Sequence, residues 1–157
     1  MDEAKLERIY HQIAQTIVEM IPEEWEKVYL YGEVLEGVQS TYFYYYPYES
    51  DQPIYSLDIP ELFDVEEEEY DQLKGQLYDL LRDLWNESKR DGNEVWTNLT
   101  LILDSSGKFK LEYGYEDLSE TDHFVRSMIW RYNKLGILPK GDYATKILKE
   151  HLQDKNE

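Results

Sequence analysis

A chain of 157 residues has the length of one domain, enough to bury about 70% of the surface its unfolded form exposes. Its 34 acidic residues against 16 basic ones give a net charge of −18, which repels phosphate backbones and anionic membranes, so neither nucleic acid nor lipid is expected as a direct partner. The absence of cysteine excludes disulfides, thiolate metal sites and a cysteine nucleophile.

An apolar fraction of 41%, with 15% aromatics, places a packed core beneath the charge. Solubility alone asks for a net charge of magnitude about 2 to 8 in a small domain, so the surplus points to a partner of opposite sign.

In chain order, Leu6, Ile9, Tyr10, Ile13, Ile17, Met20 and Ile21 recur every three or four residues, which predicts an amphipathic helix stopped by Pro22. This start is acidic and mixed in charge, unlike the basic opening and apolar stretch of a secretory signal. No apolar run approaches the ~20 residues that span a bilayer, and the expected location is the cytoplasm. The triplets Asn86-Glu87-Ser88 and Asn98-Leu99-Thr100 then match a glycosylation pattern by chance.

Trp25 to Val34 and Val38 to Tyr46 are rich in β-branched and aromatic residues and flank a Glu36-Gly37 turn, which predicts an antiparallel hairpin. Residues 47 to 65 hold Pro47, Pro53 and Pro60 and read as loop, with a short edge strand over Ile54 to Leu57. A second long helix begins at Glu66, with Tyr70, Leu73, Leu77, Leu80, Leu81 and Leu84 as its apolar stripe. The run Glu66 to Glu69 sits where the helix dipole favours negative charge.

Asp91-Gly92-Asn93 closes that helix, and strands follow over Val95 to Leu103 and Lys108 to Tyr113, joined by a turn at Asp104 to Gly107. In the last strand Phe109, Leu111 and Tyr113 face one side, and Lys108, Lys110 and Glu112 the other. Ser119 with Asp122 reads as a capping box for a helix over His123 to Lys134, ended by Gly136 and Pro139. Asp142 caps a final helix with Tyr143, Ile147, Leu148 and Leu152 inward. The order predicts an α+β domain, an antiparallel sheet of about four or five strands packed with helices.

No dinucleotide fingerprint, P-loop, zinc-binding His-Glu-x-x-His or nucleophile elbow occurs, and His11, His123 and His151 fall in separate helices without a ligand pattern. No catalytic residue, metal or cofactor is expected. Carboxylate pairs at helical spacing, such as Glu67 with Asp71, arise from abundance alone.

Tyr42-Phe43-Tyr44-Tyr45-Tyr46-Pro47-Tyr48 carries six aromatics in seven positions. Alternation places Phe43 and Tyr45 on one face and Tyr42, Tyr44 and Tyr46 on the other, so one set lies away from the main core unless a second layer covers it. Exposed tyrosine offers stiff contact area with a polar tip. Tyr44, Tyr46 and Tyr48 are therefore candidate partner-binding anchors. Glu66, Glu67, Glu68 and Glu69, with Tyr115, Glu116 and Asp117 beyond a glycine hinge, are candidates for steering or pairing with the partner. Trp130 and Tyr132 are assigned to the core.

In Tyr31-Gly32-Glu33-Val34, in Tyr45-Tyr46-Pro47, in the hairpin from Trp96 through Ser106-Gly107-Lys108-Phe109 to Tyr113-Gly114-Tyr115-Glu116-Asp117, and in Trp130-x-Tyr132-x-x-x-Gly136-x-x-Pro139, the chain resembles the YezG/EsaG-like antitoxin family. The order and spacing of these pieces, more than any one of them, carry the resemblance over nearly the whole chain. It implies one immunity domain over residues 1–157, without enzymatic activity, that binds and inhibits a nuclease toxin exported by type VII secretion in Gram-positive bacteria. The implied partner is the basic nuclease domain of that toxin. Two other readings use the same carboxylates: a general acidic adaptor or nucleic-acid mimic, and a metal-dependent hydrolase.

Overall fold

The computed structural model describes residues 3–90, 92 and 94–155. They pack as two compact units, Met1–Glu116 and Asp117–Glu157.

The first unit contains α1 (Glu3–Met20), β1 (Trp25–Leu35), β2 (Val38–Pro47), β3 (Ile54–Tyr55), α2 (Ile59–Leu62), α3 (Glu67–Arg90), β4 (Asn98–Asp104) and β5 (Phe109–Gly114). The strands form one antiparallel sheet in the order β3-β2-β1-β4-β5, the α+β arrangement that the sequence predicts. Register decides which residues share a face. Leu30 stands opposite Phe43 and Leu101, and Val28 opposite Tyr45 and Leu103. That row is buried and packs with the apolar stripes of α1 (Ile9, Ile13, Ile17) and α3 (Leu77, Leu81, Leu84) into one core. Each fully buried aliphatic or aromatic side chain there contributes about 1.5–3 kcal/mol. Gly32 belongs to this face because Leu81 leaves no room beside it.

Two hydrogen bonds bind the β3 region into the unit: Ser56 Oγ accepts from the Phe43 N–H at 3.1 Å, and the Ser56 carbonyl accepts from the Tyr70 hydroxyl at 2.6 Å. In β2 the Tyr45 hydroxyl donates to Glu23 at 2.7 Å. Burial pushes the Tyr45 and Tyr70 hydroxyls well above the ordinary phenol range, with Glu23 adding to the effect at Tyr45.

The second unit has a 3₁₀ turn (Leu118–Glu120), α4 (His123–Leu135) and α5 (Asp142–Lys155) around Met128, Ala144 and Leu148. Trp130 is buried, and Tyr132 packs against that small core, as expected. Gly136, at φ 68°, ends α4 in the left-handed conformation that glycine adopts without strain.

Several local expectations are corrected. The second long helix begins at Glu67, because Glu66 is its cap: the Glu66 carboxylate accepts from the Glu68 and Glu69 N–H groups at 3.3 and 2.8 Å. Within the predicted loop, Ile59–Leu62 forms a helical turn with Pro60 in its first positions, where a missing N–H costs nothing. The β4 strand starts at Asn98 rather than Val95. Trp96 is instead drawn into the core, its indole donating to Ser88 Oγ at 3.1 Å while its carbonyl accepts from Trp85 at 3.0 Å.

No capping box forms at Ser119. Asp122 is the N-cap, accepting from Val125 N–H at 2.9 Å, and Ser119 belongs to the preceding turn. Asp142 is the first residue inside α5. Tyr143 is 72% exposed, because the inward stripe runs through Ala144, Ile147 and Leu148, about a quarter turn away. The expected Asp91-Gly92-Asn93 stop lies outside the described residues at Asp91 and Asn93.

Candidate partner-binding surface

The sheet face turned away from α1 and α3 is a field of tyrosines. Tyr29 and Tyr31 of β1, Tyr42, Tyr44 and Tyr46 of β2 and Tyr55 of β3 share it by register. Their rings shield one another. Tyr44 stacks on Tyr55 with centroids 4.8 Å apart, Tyr42 meets Tyr55 edge-on at 5.7 Å, and Tyr46 meets Tyr29 at 6.1 Å. Glu33 is buried on the same face and accepts the Tyr31 hydroxyl at 2.6 Å. The two aromatic sets of β2 thus face opposite ways, as alternation requires, and Tyr42 and Tyr44 are nearly as buried as Phe43 and Tyr45.

The three candidate anchors differ in what surface they offer. Tyr44 is 8% exposed and Tyr46 half-buried, its hydroxyl pushed up by burial and by neighbouring Tyr29, whereas Tyr48, just past the strand, is 57% exposed. Tyr115 is also exposed. Tyr46 and Tyr48 lie at the end of the sheet where β1 begins, and Gly114 pairs with Asn98 at the opposite end. The separation is the run of β1 from Lys27 to Glu33, six residue steps or roughly 20 Å. The sequence-derived candidates therefore do not form one patch.

Among the acids, Glu67, Glu68 and Glu69 are exposed on the first turn of α3, while exposed Glu66 spends its carboxylate on the cap. Glu116 Oε1 accepts from Asn98 at 3.0 Å, and its carbonyl accepts from the Thr97 hydroxyl at 2.8 Å. Asp117, in the second unit, accepts from the Ser119 N–H at 2.9 Å, a bond that holds its carboxyl below the usual carboxylate range. Those two acids thus hold local structure as well as charge. Among the described residues no three His, Asp or Glu side chains come together as a metal would require.

Charge is distributed very unevenly, and reading the candidates one by one misses this. The first unit contains 27 of the 34 acids and 9 of the 16 bases, hence the whole net charge of −18; the second contains seven of each and is neutral. Within the first unit, residues 28–73 carry twelve acids and no Lys, Arg or His. Eleven of the twelve are exposed, Glu33 being the exception. Glu36 pairs with Lys89, and Asp71 with Lys74 at 3.5 Å; the other nine make no ion pair among the described residues. Leu57, Leu62 and Tyr78 are exposed in and beside this segment, at 46%, 60% and 43%. The signal was present in the sequence as the gap between Lys27 and Lys74.

Comparison with known proteins gives a consistent result. Residues 6–149 match the family described as immunity protein YezG-like. The chain is 40% identical to Immunity protein YezG of Bacillus spizizenii over 155 residues, which cover 98% of this chain and 96% of the relative. It is 40% identical to Immunity protein YezG of Bacillus subtilis over 139 residues, covering 87% and 92%. With the type VII secretion system protein EsaG of Staphylococcus aureus it shares 35% identity over 150 residues, covering 94% and 92%.

Proposed function

The chain belongs to the YezG-like immunity protein family, and from that premise we propose that it protects the cell that makes it by binding a cognate nuclease toxin of a type VII secretion system at equimolar ratio. The family match, over residues 6–149, runs across both units, which supports residues 1–157 working as one immunity domain; in this reading it acts in the cytoplasm, where the toxin is made. No helix among the described residues is long and apolar enough to cross a membrane.

The observation that carries the nuclease reading is the acidic segment 28–73, with its nine exposed carboxylates that make no ion pair among the described residues. A nuclease holds a polyanion and therefore presents a basic surface. A protein with −18 charges concentrated on one unit competes for that surface and raises the encounter rate toward roughly 10⁸ M⁻¹s⁻¹ at low salt, against about 10⁵ to 10⁶ for a neutral pair. Rim charges add little affinity each, so tight binding draws on a few desolvated apolar side chains. No reaction is asked of the chain.

The test is affinity capture with the tagged full chain from the cell that makes it, followed by a nuclease assay on the recovered partner with and without the chain. One basic partner at equimolar ratio, whose nuclease activity falls as the chain is added, supports the reading. Many basic proteins in small and variable amounts would indicate an acidic adaptor instead, and a single partner without nuclease activity would overturn the substrate class.

A further inference from the structure

We propose that a groove between α3 and β2, opened by Gly75, seats a basic segment of the toxin through an aliphatic or aromatic anchor. This deepens the function proposed above and rests on it.

The groove encloses about 400 Å³ and is lined by Leu57, Asp71, Lys74, Gly75 and Tyr78, with Met20 and Gln39 among the residues completing its walls. Gln39 fixes one wall by donating to the Tyr78 carbonyl at 2.7 Å and to Thr41 Oγ1 at 3.2 Å. Leu57 and Tyr78 are each more than two-fifths exposed, so the groove presents apolar surface to solvent.

Gly75 stands in the interior of a 24-residue helix, where glycine is the least stabilising residue short of proline. Its backbone is not among those with positive φ, and a Cβ there would meet nothing within 4 Å. Neither conformation nor packing inside the chain therefore calls for glycine at this position. What remains is room for another molecule to approach the helix backbone closely.

Charge selects the occupant. Lys74 lies in the groove wall and is paired with Asp71 at 3.5 Å, while Glu67 and Asp79, eight residues before Gly75 and four after it along one stripe of α3, are exposed and make no ion pair among the described residues. Beside the groove the chain continues into Asp58, Glu61 and Asp64, also exposed. A Lys- or Arg-bearing segment with one apolar side chain satisfies both features, its cations on the stripe and its anchor against Leu57 and Tyr78. The stripe accelerates encounter, and the anchor sets residence time.

The experiment uses full-length Gly75→Ala, Gly75→Trp and Tyr78→Ser, titrated by stopped-flow and surface plasmon resonance against the partner purified in the capture experiment. Gly75→Ala, which puts a methyl where the partner meets the helix backbone, should raise Kd at least threefold. Gly75→Trp, whose Cβ meets nothing within 4 Å and whose ring occupies the groove, should raise Kd at least tenfold through dissociation while the association rate stays within threefold. Tyr78→Ser should raise the dissociation rate in the same way, and it decides the matter if Gly75→Trp lowers the thermal midpoint. If a partner is captured and inhibited but Gly75→Trp and Tyr78→Ser dissociate like the wild type, the groove is not the seat and only this inference falls. If no equimolar partner is recovered, the proposed function falls and the seat with it.

Discussion

Leu81 of α3 presses on Gly32 of β1 so closely that a methyl group at Gly32 would lie 2.8 Å from Leu81 Cδ1. Leu81 is fully buried, so it has little space into which to retreat. Gly32→Ala should cost about 1–3 kcal/mol through overpacking, despite alanine's lower backbone entropy in the unfolded chain. Leu81→Ala alone should cost about 2–5 kcal/mol. Combined, they should cost less than their sum, because the new methyl occupies part of the vacated volume. Urea denaturation of the four proteins measures this; additivity within about 0.5 kcal/mol would show that the two positions do not couple.

The acidic run at the head of α3 should divide into two kinds of residue. Glu66 caps the helix, so Glu66→Ala should lower stability by about 1 kcal/mol. Glu67→Gln with Glu68→Gln removes exposed charge beyond the cap, and stability should stay within roughly 0.5 kcal/mol. If these acids steer a basic partner, the double variant should slow association and flatten its dependence on salt, leaving dissociation nearly unchanged. An association rate equal to that of the wild type at low salt removes this patch from the encounter.

Alkaline pH should unfold the protein through its buried phenols. Burial is the first cause holding the Tyr45, Tyr70 and Tyr113 hydroxyls protonated, and hydrogen bonds to Glu23 and Tyr10 add to it at Tyr45 and Tyr113. Their folded pKa values are raised above the unfolded value of 10.0, so above that pH the unfolded chain has lost protons that the native state keeps. The contribution of these three groups is then constant below about pH 9 and falls above pH 10, by up to about 1.4 kcal/mol per pH unit from each. Urea midpoints from pH 8 to 11.5 should show this decline. Tyr45→Phe should start from a lower midpoint, having lost its bond to Glu23, but decline less steeply.

Periodicity made the frame of the first unit legible. The stripe of α1, the alternation in β2 and β5 and the glycine at the end of α4 each follow from one local rule, and the register puts Phe109, Leu111 and Tyr113 on the core face, although Phe109 at the strand's start stays 41% exposed. Tertiary forces decided the remainder. Val95 has strand propensity, yet the indole of Trp96 finds Ser88 and pulls the segment out of the ladder. Tyr143 reads as apolar, but small Ala144 gives α5 its close approach. At the candidate surface, single residues were the wrong unit. The tyrosines near one end of the sheet and the 115–116 pair at the other do not converge, whereas the base-free stretch between Lys27 and Lys74 marks a surface without any knowledge of the fold.

Tyr44 and Tyr48 test whether the tyrosine field is structure or interface. Tyr44 stacks on Tyr55 at 4.8 Å and is 8% exposed, so Tyr44→Ala removes a packed ring and should cost about 3–5 kcal/mol. Tyr48 is 57% exposed, and its backbone N–H, which donates to the Glu24 carbonyl at 3.0 Å, survives substitution; Tyr48→Ala should change stability by no more than about 0.5 kcal/mol. The ring also lines an open groove with Val18, Pro22 and Trp25, where an apolar partner side chain would find contact. Tyr48→Ala should therefore speed dissociation of the captured partner while leaving the thermal midpoint in place. Unchanged dissociation in Tyr48→Ala would remove this ring from the anchors, as enclosure by its neighbouring rings already does for Tyr44.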